Sequence, residues 1–127
     1  NNVRLPPPSF SNAIKISDSK NIEVIGIDMD EESFTTSYTS NISTWQLYKR
    51  GRLEKKWVKN GIEGMTPEEM VSNMEDSIRK ISGFAKLEQD RVRVMYNNLK
   101  SHSDKSKILA IIEFPNVDSL IKLLKES

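Results

Sequence analysis

Cysteine is absent from this 127-residue sequence, and histidine occurs only once. Without cysteine the chain can form neither a disulfide framework nor a thiolate metal site, and one histidine excludes a histidine-rich zinc site. A cysteine-free composition fits a reducing, intracellular compartment. No apolar run approaches the roughly 18 residues that cross a bilayer, and no basic-then-apolar signal segment opens the sequence. We therefore expect an intracellular protein that does not bind membranes.

A large net charge of either sign is also lacking, because 19 Lys and Arg against 18 Asp and Glu leave only +1. No overall field therefore steers the chain onto nucleic acid, although a local basic patch remains open. Only 36% of the residues are hydrophobic, so the core must be concentrated in a few segments. The first residue is Asn1 rather than Met, as we expect of a fragment of a longer chain or of a processed one.

The sequence predicts one domain with a tail in front of it. Residues 1–20 are rich in Asn, Ser and Pro and are predicted to be a flexible tail, and residues 21–127 a single domain. Leu-Pro-Pro-Pro at residues 5–8 predicts a short polyproline II stretch. It is interpreted either as a plain spacer or as a proline-rich ligand for an aromatic groove.

Four stretches of the domain are predicted to be strands. Residues 21–29 and 107–114 are nearly continuous apolar runs, typical of strands covered on both faces. Between them, residues 33–40 are β-branched and aromatic, which favours a half-exposed strand. Residues 45–58 predict a hairpin that turns at Gly51.

The clearest helix signal lies at Thr66. Thr66 is a suitable N-cap, Pro67 suits the first helical position, and Glu69 can complete a capping box. Met65 and Met70 fit the hydrophobic staple that brackets such a cap. We therefore predict that a helix begins here.

Apolar residues then recur three and four positions apart, which predicts one helix continuous to Lys100. Gly83 supports the alternative, a shorter helix that ends near Gly83 or Glu88. A final helix is predicted after Pro115, with Asn116 as its cap. The members of the long stripe that are predicted to form an interaction surface are Val71, Met74, Ile78, Ile81, Val92, Met95 and Leu99.

The predicted order of elements is strand, strand, strand or hairpin, long helix, strand, helix, which is an α/β or α+β domain with a mixed sheet. If the two apolar strands are parallel neighbours, their carboxyl ends meet at one edge. Asp28 and Asp30 follow the first of these strands and Glu113 ends the second. Carboxylates suit Mg²⁺ or Mn²⁺, so these three residues are candidate metal ligands.

Val24-Ile25-Gly26-Ile27-Asp28, the Ser/Thr-rich stretch, the helix and Ile111-Ile112-Glu113-Phe114-Pro115 together resemble the first half of RNase H-like nucleases. Crossover-junction resolvases of that superfamily are the most similar. The resemblance implies that Asp28 and Glu113 are catalytic metal ligands. The later acidic ligands, final strand and final helix of the family have no counterpart in this sequence.

A basic run offers a candidate nucleic-acid-binding surface. Its cations stand between Tyr48 and Trp57, a mixture that can contact phosphates and stack on bases. The alternative interpretation is a solvated hairpin with structural aromatics. The cations assigned to nucleic-acid binding are Lys49, Arg50, Arg52, Lys55 and Lys56.

These features support two functions. A non-enzymatic interaction or assembly domain is the first, because the long apolar stripe exceeds what a small sheet can cover. Its partner would be another protein or a second copy of the chain. The alternative is a nuclease that depends on Mg²⁺ or Mn²⁺, or its inactive descendant, acting on nucleic acid.

Overall fold

A computed structural model of the chain describes residues 7–127, and every regular element in this range is an α-helix. The predicted α/β or α+β sheet is therefore wrong, because no strand occurs between residues 7 and 127. The resemblance to RNase H-like nucleases is wrong as well, since that fold requires a central sheet. The helices are α1 (Pro8–Lys20), α2 (Glu31–Asn41), α3 (Thr44–Asn60), α4 (Pro67–Arg79), α5 (Ser82–Ser101) and α6 (Phe114–Glu126).

The Ser/Thr-rich stretch that was predicted to be a strand forms α2. Its start is fixed by Asp30, whose carboxylate accepts the backbone N–H of Ser33 at 2.7 Å. This hydrogen bond lowers the pKa of Asp30. Glu31 and Glu32 then occupy the first turn, where the positive end of the helix favours acids. These start signals outweigh the β preference of the threonines that follow.

The predicted hairpin is likewise one helix, α3. Ser43 and Gln46 form a capping box: the Ser43 hydroxyl accepts the Gln46 N–H, and the Gln46 amide oxygen accepts the Ser43 N–H at 3.1 Å. Gly51, the predicted turn, lies inside the helix, and no atom lies within 4 Å of the position that a Cβ would occupy there. The helix ends at Gly61, whose φ of 78° suits glycine and whose N–H bonds to the Trp57 carbonyl at 2.8 Å.

The two apolar runs that were predicted to be central strands have no regular secondary structure over residues 22–27 and 107–113. A β-branched run becomes a strand only when another backbone completes its ladder of hydrogen bonds. No ladder includes either run in the described part of the chain.

The chain divides into two compact units. In its described part, the first contains residues 7–26 and 108–111, and none of these is buried. It includes α1, which was predicted to belong to a flexible tail and which ends at Asn21 in a left-handed conformation. Residues 5 and 6 of the predicted polyproline stretch lie outside the described residues.

The second unit, residues 27–107 and 112–127, contains α2 to α6 and is built around α5. α2, α4 and α6 each pack against this helix. One cluster of buried residues, at the start of α5, consists of Ile42, Ile81, Phe84 and Leu87. A second cluster, further along α5, consists of Val92, Met95 and Leu120.

The start of α4 agrees with its sequence signal in part. The Thr66 hydroxyl accepts the Glu69 N–H at 3.1 Å, as predicted. The Glu69 carboxylate accepts the N–H of Met65 at 2.8 Å. The predicted hydrophobic staple is wrong, because Met65 is 95% exposed.

The prediction of one helix to Lys100 is wrong, because the helix breaks between Arg79 and Ser82. An ion pair between Arg79 of α4 and Glu88 of α5, 2.8 Å long, holds the two halves together. The same guanidinium pairs with Asp76 of its own helix at 2.9 Å. It also donates to the Pro115 carbonyl at 3.1 Å, which adds the start of α6. Glu88, the one polar residue in the apolar stripe, is therefore the partner of a cation that joins three helices.

The last helix begins earlier than predicted. α6 starts at Phe114, with Pro115 in its first turn and Glu113 at the cap position. Asn116, the predicted cap, is instead buried within the helix at 4% exposure. Leu120 is 2% exposed and is the main contribution of α6 to the core.

Within residues 7–127 no helix is both long and apolar enough to span a bilayer.

Candidate nucleic-acid interface

The outer face of α3 concentrates positive charge on one side of a helix. Because successive helical residues are about 100° apart, positions 45, 48, 49, 52, 55, 56 and 59 fall within a sector about 120° wide. All seven residues are exposed. We call this set the outer face of α3: Trp45, Tyr48, Lys49, Arg52, Lys55, Lys56 and Lys59.

The five cations of the outer face have no carboxylate partner among residues 7–127. The whole helix carries six cations and one acid, a net charge of +5, whereas the full chain carries +1. Positive charge is therefore concentrated on one helix, and the rest of the sequence carries −4.

The opposite side of α3 contacts α5 and the first core cluster of the second unit. The Gln46 amide donates to the Ser82 hydroxyl at 3.0 Å, and the Arg50 guanidinium lies 4.9 Å from the centre of the Phe84 ring. Leu53 packs against the first core cluster. These contacts fix which side of the helix faces solvent, and they take Arg50 out of the predicted cation set.

Two aromatic rings begin the outer face. Trp45 and Tyr48 stack with their centres 5.2 Å apart and their planes 22° apart. Trp45 is 62% exposed and Tyr48 55% exposed, so neither ring contributes to the core. The Lys49 ammonium lies 5.9 Å from the Trp45 ring centre. Nucleobases stack on solvent-exposed aromatic rings, and phosphates bind to cations beside such rings.

The sequence contains the signals for this face, but a strand interpretation hides them. In a hairpin, side chains alternate between two sides, so the cations would divide between opposite surfaces. The Ser43-Thr44-Trp45-Gln46 capping box indicates a helix, and a period of 3.6 then brings the cations together. It also adds Trp45 and Lys59 to the set and places Trp57 on the inner side.

Asp28 and Glu113, the predicted catalytic pair, both approach Arg91. Nη2 of Arg91 lies 2.5 Å from the Asp28 carboxylate and 3.8 Å from that of Glu113. The hydrogen bond that the Arg91 guanidinium donates to Asp28 raises the pKa of Arg91. The guanidinium also lies 6.0 Å from the Phe34 ring centre. The two acids thus bind a cation of α5. These contacts fix residue 28 and the start of α6 to that helix.

The predicted metal centre is wrong. Asp30, its third member, uses its carboxylate to cap α2. In the described part of the chain, no group of three His, Cys, Asp or Glu side chains is arranged to hold a metal ion. No site for Mg²⁺ or Mn²⁺ is therefore assigned.

The predicted interaction stripe lies mostly inside the second unit. Ile81, Val92 and Met95 are core residues, and Ile78 and Leu99 pack against the two clusters. Met74 is partly buried and Val71 is 39% exposed. The apolar spacing that suggested a binding surface therefore builds the core.

A different apolar surface lies on α6. Phe114, Val117, Ile121 and Leu124 share one side of that helix by their spacing of three and four residues. Phe114 is 61% exposed, Ile121 42% and Leu124 40%. We call these four residues the α6 strip.

No family model, curated protein or solved structure matches this chain.

Proposed function

We propose that the chain is a non-enzymatic nucleic-acid-binding domain that docks on a phosphate backbone with the outer face of α3. The observation that carries this proposal is a set of five exposed cations on one side of a single helix, none of which forms an ion pair within residues 7–127. A cation without a carboxylate partner gives up no ion pair when it contacts a phosphate. Such contacts release condensed counterions, which is the main source of affinity in backbone binding.

The distribution of charge along the chain favours the approach of nucleic acid to the outer face of α3. The five cations lie along the 11 helical residues from Lys49 to Lys59, a length of about 15 Å at the standard rise. Because the rest of the sequence carries a net charge of −4, the excess of positive charge that attracts a polyanion lies on α3. The function places the protein in an intracellular compartment, where nucleic acid is available and where a cysteine-free chain fits.

The test is a salt titration of oligonucleotide binding, followed by fluorescence anisotropy. The combined variant Lys49→Gln, Arg52→Gln, Lys56→Gln removes three of the five contacts and no core residue. We expect its affinity to fall roughly 30-fold, and the slope of log K against log salt to shrink by about 2, because each lost phosphate contact contributes about 0.7 to 0.9.

A matched variant carries the same change of charge elsewhere. Lys80→Gln, Arg93→Gln, Lys100→Gln also removes two lysines and one arginine, all exposed and without an ion pair in the described chain. It should keep the wild-type affinity and slope. If both triple variants lose affinity equally, net charge rather than the outer face of α3 governs binding, and the proposal is wrong.

The α6 strip favours a second candidate function, assembly of the chain with a copy of itself. Three of its four side chains, Phe114, Ile121 and Leu124, are exposed on one side of a helix that is otherwise packed on α5. Asp118 lies near the start of the strip, and Lys122 and Lys125 lie near its end. In an antiparallel pair of identical helices these opposite charges face each other, which supports a second copy as the partner.

Sedimentation equilibrium over a range of concentrations tests this assembly. Wild type should dimerise, and Ile121→Gln with Leu124→Gln should remain monomeric, since both changes remove apolar area from the strip. Val58→Gln with Met65→Gln is the control, because these residues are 89% and 95% exposed and lie off α6. A wild-type protein that is monomeric at every concentration would contradict the candidate.

A further inference from the structure

The stacked aromatic pair at the start of α3 has an exposed area that phosphate binding does not use. We infer that Trp45 and Tyr48 form a base-stacking platform, so that the nucleic acid bound on α3 is single-stranded. This inference rests on the proposed function and specifies its ligand.

The first argument is the exposure of both rings. An aromatic side chain that serves only to stabilise a helix buries most of its surface, yet Trp45 and Tyr48 keep 62% and 55% of theirs in solvent. Each ring covers one face of the other at a centre distance of 5.2 Å. The pair is thereby ordered before a ligand arrives, which reduces the entropy lost on binding.

The second argument is the position of the rings relative to the cations. Trp45 and Tyr48 occupy the first turns of the outer face, and Arg52, Lys55, Lys56 and Lys59 continue along the same side. The Lys49 ammonium lies 5.9 Å from the Trp45 ring centre, so a cation lies close to the aromatic pair. A strand that stacks one base on the platform can therefore run its phosphates along the cations that follow.

The third argument separates single strands from duplexes. Bases in a duplex are already stacked and paired, so their faces are closed to a protein side chain. A convex helix surface with aromatic rings at one end suits unpaired bases, which stack on aromatic side chains whatever their sequence. We therefore expect little sequence preference.

The experiment compares four probes on the folded chain: an oligothymidine of roughly ten nucleotides, an abasic backbone of the same length, a blunt duplex, and anionic phospholipid vesicles. Oligothymidine should bind about tenfold more tightly than the abasic strand, the gain expected from stacking one base. Trp45→Ala with Tyr48→Ala should remove this difference and leave the affinity for the abasic strand unchanged.

Two further variants give readouts that a purely structural role would not change. In a Trp57→Phe background the only remaining tryptophan is Trp45, and oligothymidine should quench its fluorescence whereas the abasic strand should not. Tyr48→Phe keeps the ring and should keep the preference for bases. Circular dichroism of each variant verifies that the helices are intact.

The outcomes separate the two proposals. Equal binding of oligothymidine and abasic strand, or equal binding of the duplex, overturns the stacking platform while the phosphate-binding function stands. Failure to bind any of the three nucleic-acid probes overturns both. Tighter binding to vesicles than to oligothymidine overturns both and identifies α3 as a membrane-surface helix.

Discussion

Leu120→Ala is expected to lower the free energy of unfolding by about 2–5 kcal/mol, the largest loss of stability for any single truncation in this chain. Leu120 is the most completely buried large side chain, with 2% of its surface exposed. It packs with Val92 and Met95 of α5, and three partly buried side chains of the same cluster, Ile27, Ile112 and Leu123, surround them. Truncation leaves a cavity that these neighbours cannot fill without moving helices.

Urea denaturation followed by circular dichroism measures this loss. Leu124→Ala is the matched control, because it removes the same atoms from the same helix at a residue that is 40% exposed. It should cost less than about 1 kcal/mol, since most of the cost of a truncation comes from buried area and cavity volume. Equal losses from the two substitutions would mean that α6 does not pack on α5 through Leu120.

Contacts between helices in the second unit depend on a few polar side chains as well as on the core. Asp90 of α5 accepts hydrogen bonds from Ser37 at 2.8 Å and Asn41 at 3.2 Å, which ties it to α2. Lys86 pairs with the same carboxylate at 2.9 Å, and this hydrogen bond, with those from α2, lowers the pKa of Asp90. The sequence gives no direct indication of the two contacts with α2, because Asp90 lies 53 residues from Ser37 and 49 from Asn41.

The sequence predicted local features better than their assembly. The start of α4 could be predicted because its cap, proline and acid are adjacent in sequence, and the hydrogen bond from Glu69 to Thr66 confirms it. The sheet was wrong because apolar, β-branched runs indicate only that a segment prefers to be a strand. Whether a ladder forms depends on a second backbone, which no local pattern specifies.

The outer face of α3 was not recognised from the sequence because residues 45–58 were assigned the two-residue period of a strand instead of the 3.6-residue period of a helix. All the cations of the outer face are visible in the sequence, and four of them were assigned to nucleic-acid binding. The assignment of Gly51 to a turn divided them, although an interior glycine costs a helix only about 1 kcal/mol and can be outweighed by a good cap. The capping box at Ser43 would have outweighed it. A helical period would then have placed the cations on one side, which is the outer face of α3.

Gly83→Ala is expected to destabilise the protein by about 3 kcal/mol, because the position has no room for a methyl group. A Cβ there would collide with the backbone carbonyl of Asn41 and the side-chain oxygen of Gln46. Neither can move freely. The Asn41 carbonyl belongs to the last turn of α2, and the Gln46 amide completes the capping box of α3 and also bonds to Ser82. The added methyl therefore disturbs both the contact of α5 with α2 and the contact of α5 with the start of α3.

Gly51→Ala provides the comparison, since it makes the same chemical change within a helix but meets no atom within 4 Å. It should stabilise the protein by about 0.5–1 kcal/mol, the ordinary gain of alanine over glycine inside a helix. Opposite signs in thermal or urea unfolding would show that close packing alone makes Gly83 intolerant of a side chain. If Gly83→Ala were as stable as wild type, α5 would not approach α2 and the start of α3 as closely as described. The orientation that presents the outer face of α3 to solvent would then need another cause.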